Sequence, residues 1–132
     1  MSYHIYSFEK LEVYQEALDF SIKIRAVVKR FPKDERFELI SQLRRAVDSI
    51  SSNIAEGSGR ATNLDQANFT NMSYSSALEC IKHLTLAHRL EYIAKDEYIQ
   101  FRLKMDSMIN KLNALYRFQL NNDRTLKRKV KK

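Results

Sequence analysis

The sequence predicts an all-α protein folded as an antiparallel up-down-up-down four-helix bundle. Three observations carry this reading. Two glycines and one proline in 132 residues are too few for the turns of a β-sandwich or barrel, whereas 30% charged residues suit the solvent faces of helices. Apolar residues recur at alternating spacings of three and four through most of the chain. The interruptions are short, so long helices joined by them must lie antiparallel. The length suits one domain that folds without a disulfide or structural metal.

The elements follow in order. A first helix is expected over about residues 8–30, ending at Phe31-Pro32, because proline lacks an amide donor and disfavours helix in the residue before it. A second is expected over 35–56, with Asp34 as N-cap and Gly57 taking a left-handed conformation at its end. A third spans about 64–92, where Asn63 and Gln66 have capping-box spacing, and a fourth about 96–121. Residues 1–123 then form one bundle domain, and 124–132 a basic C-terminal tail expected to be flexible.

Within these helices the expected core is a set of stripes. Leu39, Leu43, Val47, Ile50 and Ile54 form one, and Tyr98, Phe101, Met105, Met108, Leu112 and Leu115 another. The first helix carries two: Val13, Ala17, Phe20, Ile24, Val27 and Phe31, and beside it Leu11, Tyr14, Leu18, Ile22 and Val28. A peripheral bundle helix needs one, so the second either widens the core or meets another subunit, and its length favours an oligomer interface.

Charge is unevenly placed. The formal net charge is +7, but six of the 23 basic residues (Arg124, Lys127, Arg128, Lys129, Lys131 and Lys132) lie in the last nine positions. Without them 17 basic residues face 16 acidic ones, a body of net +1. Such a tail is either a solvated solubility element or an arm that contacts phosphates. The N-terminus meets charge before any apolar run develops, so no signal peptide or membrane span is expected, and the lone Cys80 suits a reducing, cytoplasmic setting.

Chemistry is sparse. No Glu-x-x-His pair of the kind that builds carboxylate-bridged metal centres in bundles is present; Glu79 and His83 at i,i+4 are the nearest approach, expected as an exposed hydrogen-bonded pair. No histidine stands four to six residues after an arginine, the spacing of some helical ribonucleases. Cys80 lies in an apolar run and reads as core, and Gly57-Ser58-Gly59 lacks the lysine and strand of a phosphate-binding loop. We therefore expect no catalytic residue, metal or cofactor. Segment 42–57 is the least ordinary: Arg45, Ser49, Asn53 and Glu56 share adjoining helix positions, and Arg44 and Arg45 are placed to pair with Asp48. It reads as a polar lock fixing packing, or, with Arg44, Arg45 and Arg60, as a surface for an anionic ligand.

Phe31-Pro32 with Glu35, Phe37 and Leu39, the run Gln42-Leu43-Arg44-Arg45-Ala46, Ser49-Ile50, and Asn53-Ile54-Ala55-Glu56-Gly57 resemble the signature of the S23, or 23S rRNA-intervening-sequence, proteins. The accessory variability determinant of diversity-generating retroelements is a relative of that family. The resemblance runs from Leu11 to about Leu115. It departs at Ser73-Tyr74-Ser75-Ser76, where an Ala-x-Gly-Ser stretch is usual, and at Tyr14, where tryptophan is common. It implies a homo-oligomer, typically a pentamer, and partners such as RNA, DNA or a reverse transcriptase; a place in the ribosome does not follow from the family's name. It brings no catalytic residues, and Arg44, Arg45, Ser49, Asn53 and Glu56 transfer only as structural or interface positions.

The expected function is a non-enzymatic homo-oligomeric scaffold that binds RNA or DNA with little sequence preference. Arg44, Arg45, Arg60 and the tail would supply the charge, and Leu11, Tyr14, Leu18 and Ile22 with Ser49, Asn53 and Glu56 the structural or subunit contacts. The alternative is a protein–protein adaptor, with its basicity incidental.

Overall fold

The structure, a computed structural model, describes residues 2–122. Four helices, α1 (Glu12–Val27), α2 (Ser41–Ser58), α3 (Asn63–Arg89) and α4 (Lys95–Leu120), form the expected all-α four-helix bundle. Cross-helix pairs fix its antiparallel course. Ser73 of α3 donates to the Ile50 carbonyl of α2 at 2.9 Å, while Gly57, near the end of α2, lies against Phe69, near the start of α3. Thr70 donates to Gln119 at 2.7 Å and Thr85 bonds Tyr98 at 2.7 Å, so α3 and α4 run oppositely. The turn that follows α1 meets the start of α4 through Arg30–Glu97, and the first half of α1 meets the far half of α4 through Glu16–Lys111.

The predicted stripes are the core. Val13, Ala17, Phe20, Ile24 and Val27 are buried, as are Leu39, Leu43, Val47, Ile50 and Ile54, and Phe101, Met105, Met108 and Leu112. Phe20 and Phe101 meet edge to face at 5.8 Å across α1 and α4. Cys80 sits among these side chains, and burial pushes its thiol well above the ordinary range, which disfavours the thiolate.

Helix ends differ from expectation, each for a local reason. Leu11 is extended, so the chain enters α1 through a separate 3-10 turn, Ser7–Lys10, in which the Glu9 carboxylate accepts from the Tyr6 amide at 2.8 Å. Asp34 is not an N-cap: it lies inside a 3-10 turn, Lys33–Glu35, which passes into a π-type turn, Arg36–Ile40, before α2. Thr62, not Asn63, caps α3, its hydroxyl accepting from the Asp65 amide at 3.1 Å. Gly57 stays within α2, and the left-handed terminus falls on Glu91 (φ 64°), where the Tyr92 amide reaches back to the Ala87 carbonyl at 2.9 Å.

Gly57 has another use. A Cβ built there would lie 2.6 Å from the Cβ of Phe69, so the absence of a side chain is what lets α2 and α3 come this close. Mid-helix alanine normally stabilises by roughly 0.5–1 kcal/mol over glycine. Gly57→Ala should reverse that sign and cost about 1–3 kcal/mol in urea denaturation, whereas Gly59→Ala, whose Cβ would meet the Glu56 carbonyl at an ordinary 3.5 Å and whose φ is negative, should be neutral or slightly stabilising. Equal effects at the two sites would contradict the close approach.

Across α1 and α2, Arg25 grips Asp48 with two hydrogen bonds, at 2.8 and 2.6 Å. The Arg25 guanidinium holds the Asp48 carboxyl below the usual carboxylate range. A depressed carboxyl adds stability above its unfolded value of about 4 and loses it as pH falls through the folded value. Both groups are substantially exposed, so the contribution is small, on the order of 1 kcal/mol or less. Melting-temperature differences between wild type and Asp48→Asn should therefore be constant from about pH 7 to 5 and shrink below about pH 4.

Candidate functional site

Two open grooves flank the outer side of α2. The first, about 360 Å³, lies where the chain enters the helix and is lined by Arg25, Arg36, Phe37, Arg44, Arg45 and Asp48, together with Ser41. Its shape comes from the π-type turn. Leu39 drops into the core at 6% exposure while Phe37, two residues earlier, stands 84% exposed. The Arg36 guanidinium lies 5.8 Å from the centre of the Phe37 ring. The segment is anchored from behind, because Tyr92 donates to the Glu35 carboxylate at 2.8 Å and its ring packs against Phe31 at 5.3 Å.

The electrostatics of this groove are one-sided. Asp48 is its acid, and the paired Arg25 neutralises it. Arg36, Arg44 and Arg45 make no ion pair among the described residues, and all three are exposed. The expected pairing of Arg44 or Arg45 with Asp48 does not form as a salt bridge; Arg25, 23 residues away in sequence, takes that carboxylate from α1. The structure therefore brings Arg44 and Arg45 together with two residues not singled out as site residues, Arg36 and Phe37.

Arg60 stands apart. It follows the far end of α2, roughly 22 Å from Arg45 at 1.5 Å per residue, lies 3.3 Å from Asp65 and covers the Phe69 ring at 5.4 Å. Arg124, Lys127, Arg128, Lys129, Lys131 and Lys132 lie outside the described residues.

The second groove, about 570 Å³, contains Arg45, Ser49, Asn53, Glu56 and Glu79 in its lining. Ser49 and Ser76 join α2 to α3 through their hydroxyls at 2.8 Å, and the Asn53 amide donates to the Ser49 carbonyl and hydroxyl at 2.9 and 3.0 Å. Ser49 thus links α2 to α3, Asn53 bonds Ser49 within α2, and Glu56 is exposed. Glu79 and His83 bond at 3.1 Å, but the pair is exposed only at Glu79: His83 is buried, and its Nδ1 has no partner among the described residues.

The second stripe of α1 divides. Val28 is buried and Leu11 and Tyr14 pack on the core, which widens it, whereas Leu18 and Ile22 are 36% and 67% exposed. Leu103 of α4, 57% exposed, lines a 380 Å³ groove between α1 and α4.

Among the described residues no group of three or more His, Cys, Asp or Glu side chains is arranged to hold a metal ion. Two tyrosines are engaged within the fold: Tyr92 as above, and Tyr98 by Thr85, Arg102 and the stacked ring of His88 at 4.8 Å. The phenol of Tyr98 is held below its ordinary range by its hydrogen bonds with Thr85 and Arg102. No described helix is long and apolar enough to cross a membrane.

Comparison with known proteins agrees with the fold. A crystal structure of a protein of unknown function from the S23 ribosomal protein family of Bacteroides thetaiotaomicron superposes with a TM-score of 0.73 at 24% identity, covering 80% of this chain and 95% of that one. No curated protein matches. The family model described as 23S rRNA-intervening sequence protein matches residues 9–114. With the bundle, the Arg44-Arg45-Ala46 run and the Asn53–Gly57 segment in place, the chain belongs to the 23S rRNA-intervening sequence protein family.

Proposed function

We propose that the chain is a non-enzymatic scaffold that binds RNA or DNA as a homo-oligomer, in a cytoplasmic setting. The observation that carries this is the arginine face at the start of α2, where Arg36, Arg44 and Arg45 concentrate charge on a body that is nearly neutral overall. Clustered arginines on a preformed helix suit phosphate oxygens, and the contacts are indifferent to base sequence. The basic residues of 124–132 would add to the same electrostatic footprint.

Oligomerisation is the second half of the reading. Leu18 and Ile22 on α1 and Leu103 on α4 expose apolar surface, and covering it with further copies would repeat the arginine face on each subunit. The family resemblance makes a pentamer the typical number.

Binding of a fluorescent RNA of mixed sequence, followed by anisotropy across a salt series, tests the first half. Affinity should fall steeply with salt. Arg44→Ala with Arg45→Ala should reduce the slope of log K against log salt by about 2 per engaged subunit, and removal of residues 124–132 should reduce it further. An oligomer that ignores RNA and DNA even at low salt would leave the adaptor reading, with a reverse transcriptase as one partner to try.

Light scattering tests the second half. Solution mass should be a multiple of 15.6 kDa, and Leu18→Glu with Ile22→Glu should lower it while helical circular dichroism is retained. A wild-type monomer at micromolar concentration would refute self-association.

A further inference from the structure

Phe37 is the most exposed large apolar side chain of the described residues, and it does not stand alone. It projects from a turn whose approach is anchored by the Tyr92–Glu35 hydrogen bond and the Phe31–Tyr92 contact. One guanidinium, that of Arg36, lies over the ring, and Arg44 and Arg45 border the same groove. With Asp48 neutralised by Arg25, the groove lining on which the ring borders is net positive.

We infer that this groove takes single-stranded nucleic acid, with one base stacked on the Phe37 ring and the neighbouring phosphates held by Arg36, Arg44 and Arg45. The inference rests on the nucleic-acid reading above and narrows it to a strand class. An exposed aromatic ring offers nothing to a duplex, whose bases are already stacked on one another. An unpaired base gains a partner of matching area, whatever its identity. The arginines alone would serve either form, so the aromatic ring is the discriminating element. The groove is open to solvent on its outer side, which lets a strand lie across it.

The chain contains no tryptophan, so Phe37→Trp introduces a single tryptophan at the site, whose red-edge excitation separates it from the seven tyrosines. In the full-length protein at low salt, saturating poly(U) should quench and shift that emission, and a 20-base-pair duplex should leave it unchanged. In anisotropy, Phe37→Ala should weaken binding of a 20-nucleotide single strand by about tenfold. Its salt slope and its duplex affinity should stay at the wild-type values, and Phe37→Trp should restore single-strand affinity. Equal losses for single strand and duplex, or unchanged tryptophan emission at saturating poly(U), would overturn the inference while leaving general nucleic-acid binding intact. Unchanged emission with a lowered solution mass for Phe37→Ala would place the ring between copies of the chain instead. Failure of the wild type to bind either form would overturn the broader reading and this one together.

Discussion

The close approach of α2 to α3 is the constraint on which the rest of the molecule depends. It needs a small residue at each contact: Gly57 beneath Phe69, Ser73 bonded to the Ile50 carbonyl, and Ser49 against Ser76. Two of these contacts are hydrogen bonds that satisfy buried or half-buried hydroxyls, so nearness and polar satisfaction reinforce each other. Once α2 is seated this way, its apolar stripe from Leu43 to Ile54 faces the core. Arg44 and Arg45, lying between the stripe positions, are turned to solvent.

The arginine face is thus a by-product of core packing, sharpened by two tethers. Arg25 reaches from α1 and removes the negative charge of Asp48, and Tyr92 holds the approach to α2 through Glu35. Neither tether touches Arg44 or Arg45 by a hydrogen bond, yet both decide the field and the shape those side chains experience. The polar groove on the other side of Arg45 plays a different part: its Ser49 and Asn53 are occupied by one another and by Ser76.

The bundle and its stripes were legible because helical periodicity is repeated many times along 16 to 27 residues per helix, so no single position decides it. Helix ends were less so. Asp34, Asn63 and Gly57 each have the right chemistry for a cap, but caps are chosen by competition among neighbours one or two residues apart, and Thr62 and the turns at 33–40 won. Gly57 was read as a conformational device when its role is steric, and only the position of Phe69 on another helix reveals that. Of the candidate site, Arg44 and Arg45 were visible as a pair in an amphipathic helix. Arg25 was not, since no local spacing links residues 23 apart. Phe37 drew notice only as part of a family signature; its exposure depends on the turn that carries it.

That turn, Arg36–Ile40, has a consequence for how the family's members can diverge. A π-type turn holds one residue more than the α-helical turn it replaces. Loss of a single codon there would restore a regular helix and swing each preceding side chain by about 100° around the axis. Leu39 would then turn away from the direction in which it is now buried, Phe37 would turn with it, and the approach from Pro32 would have to be redrawn. Substitution changes what the aromatic position is made of, whereas a change of length in this segment moves it around the helix axis.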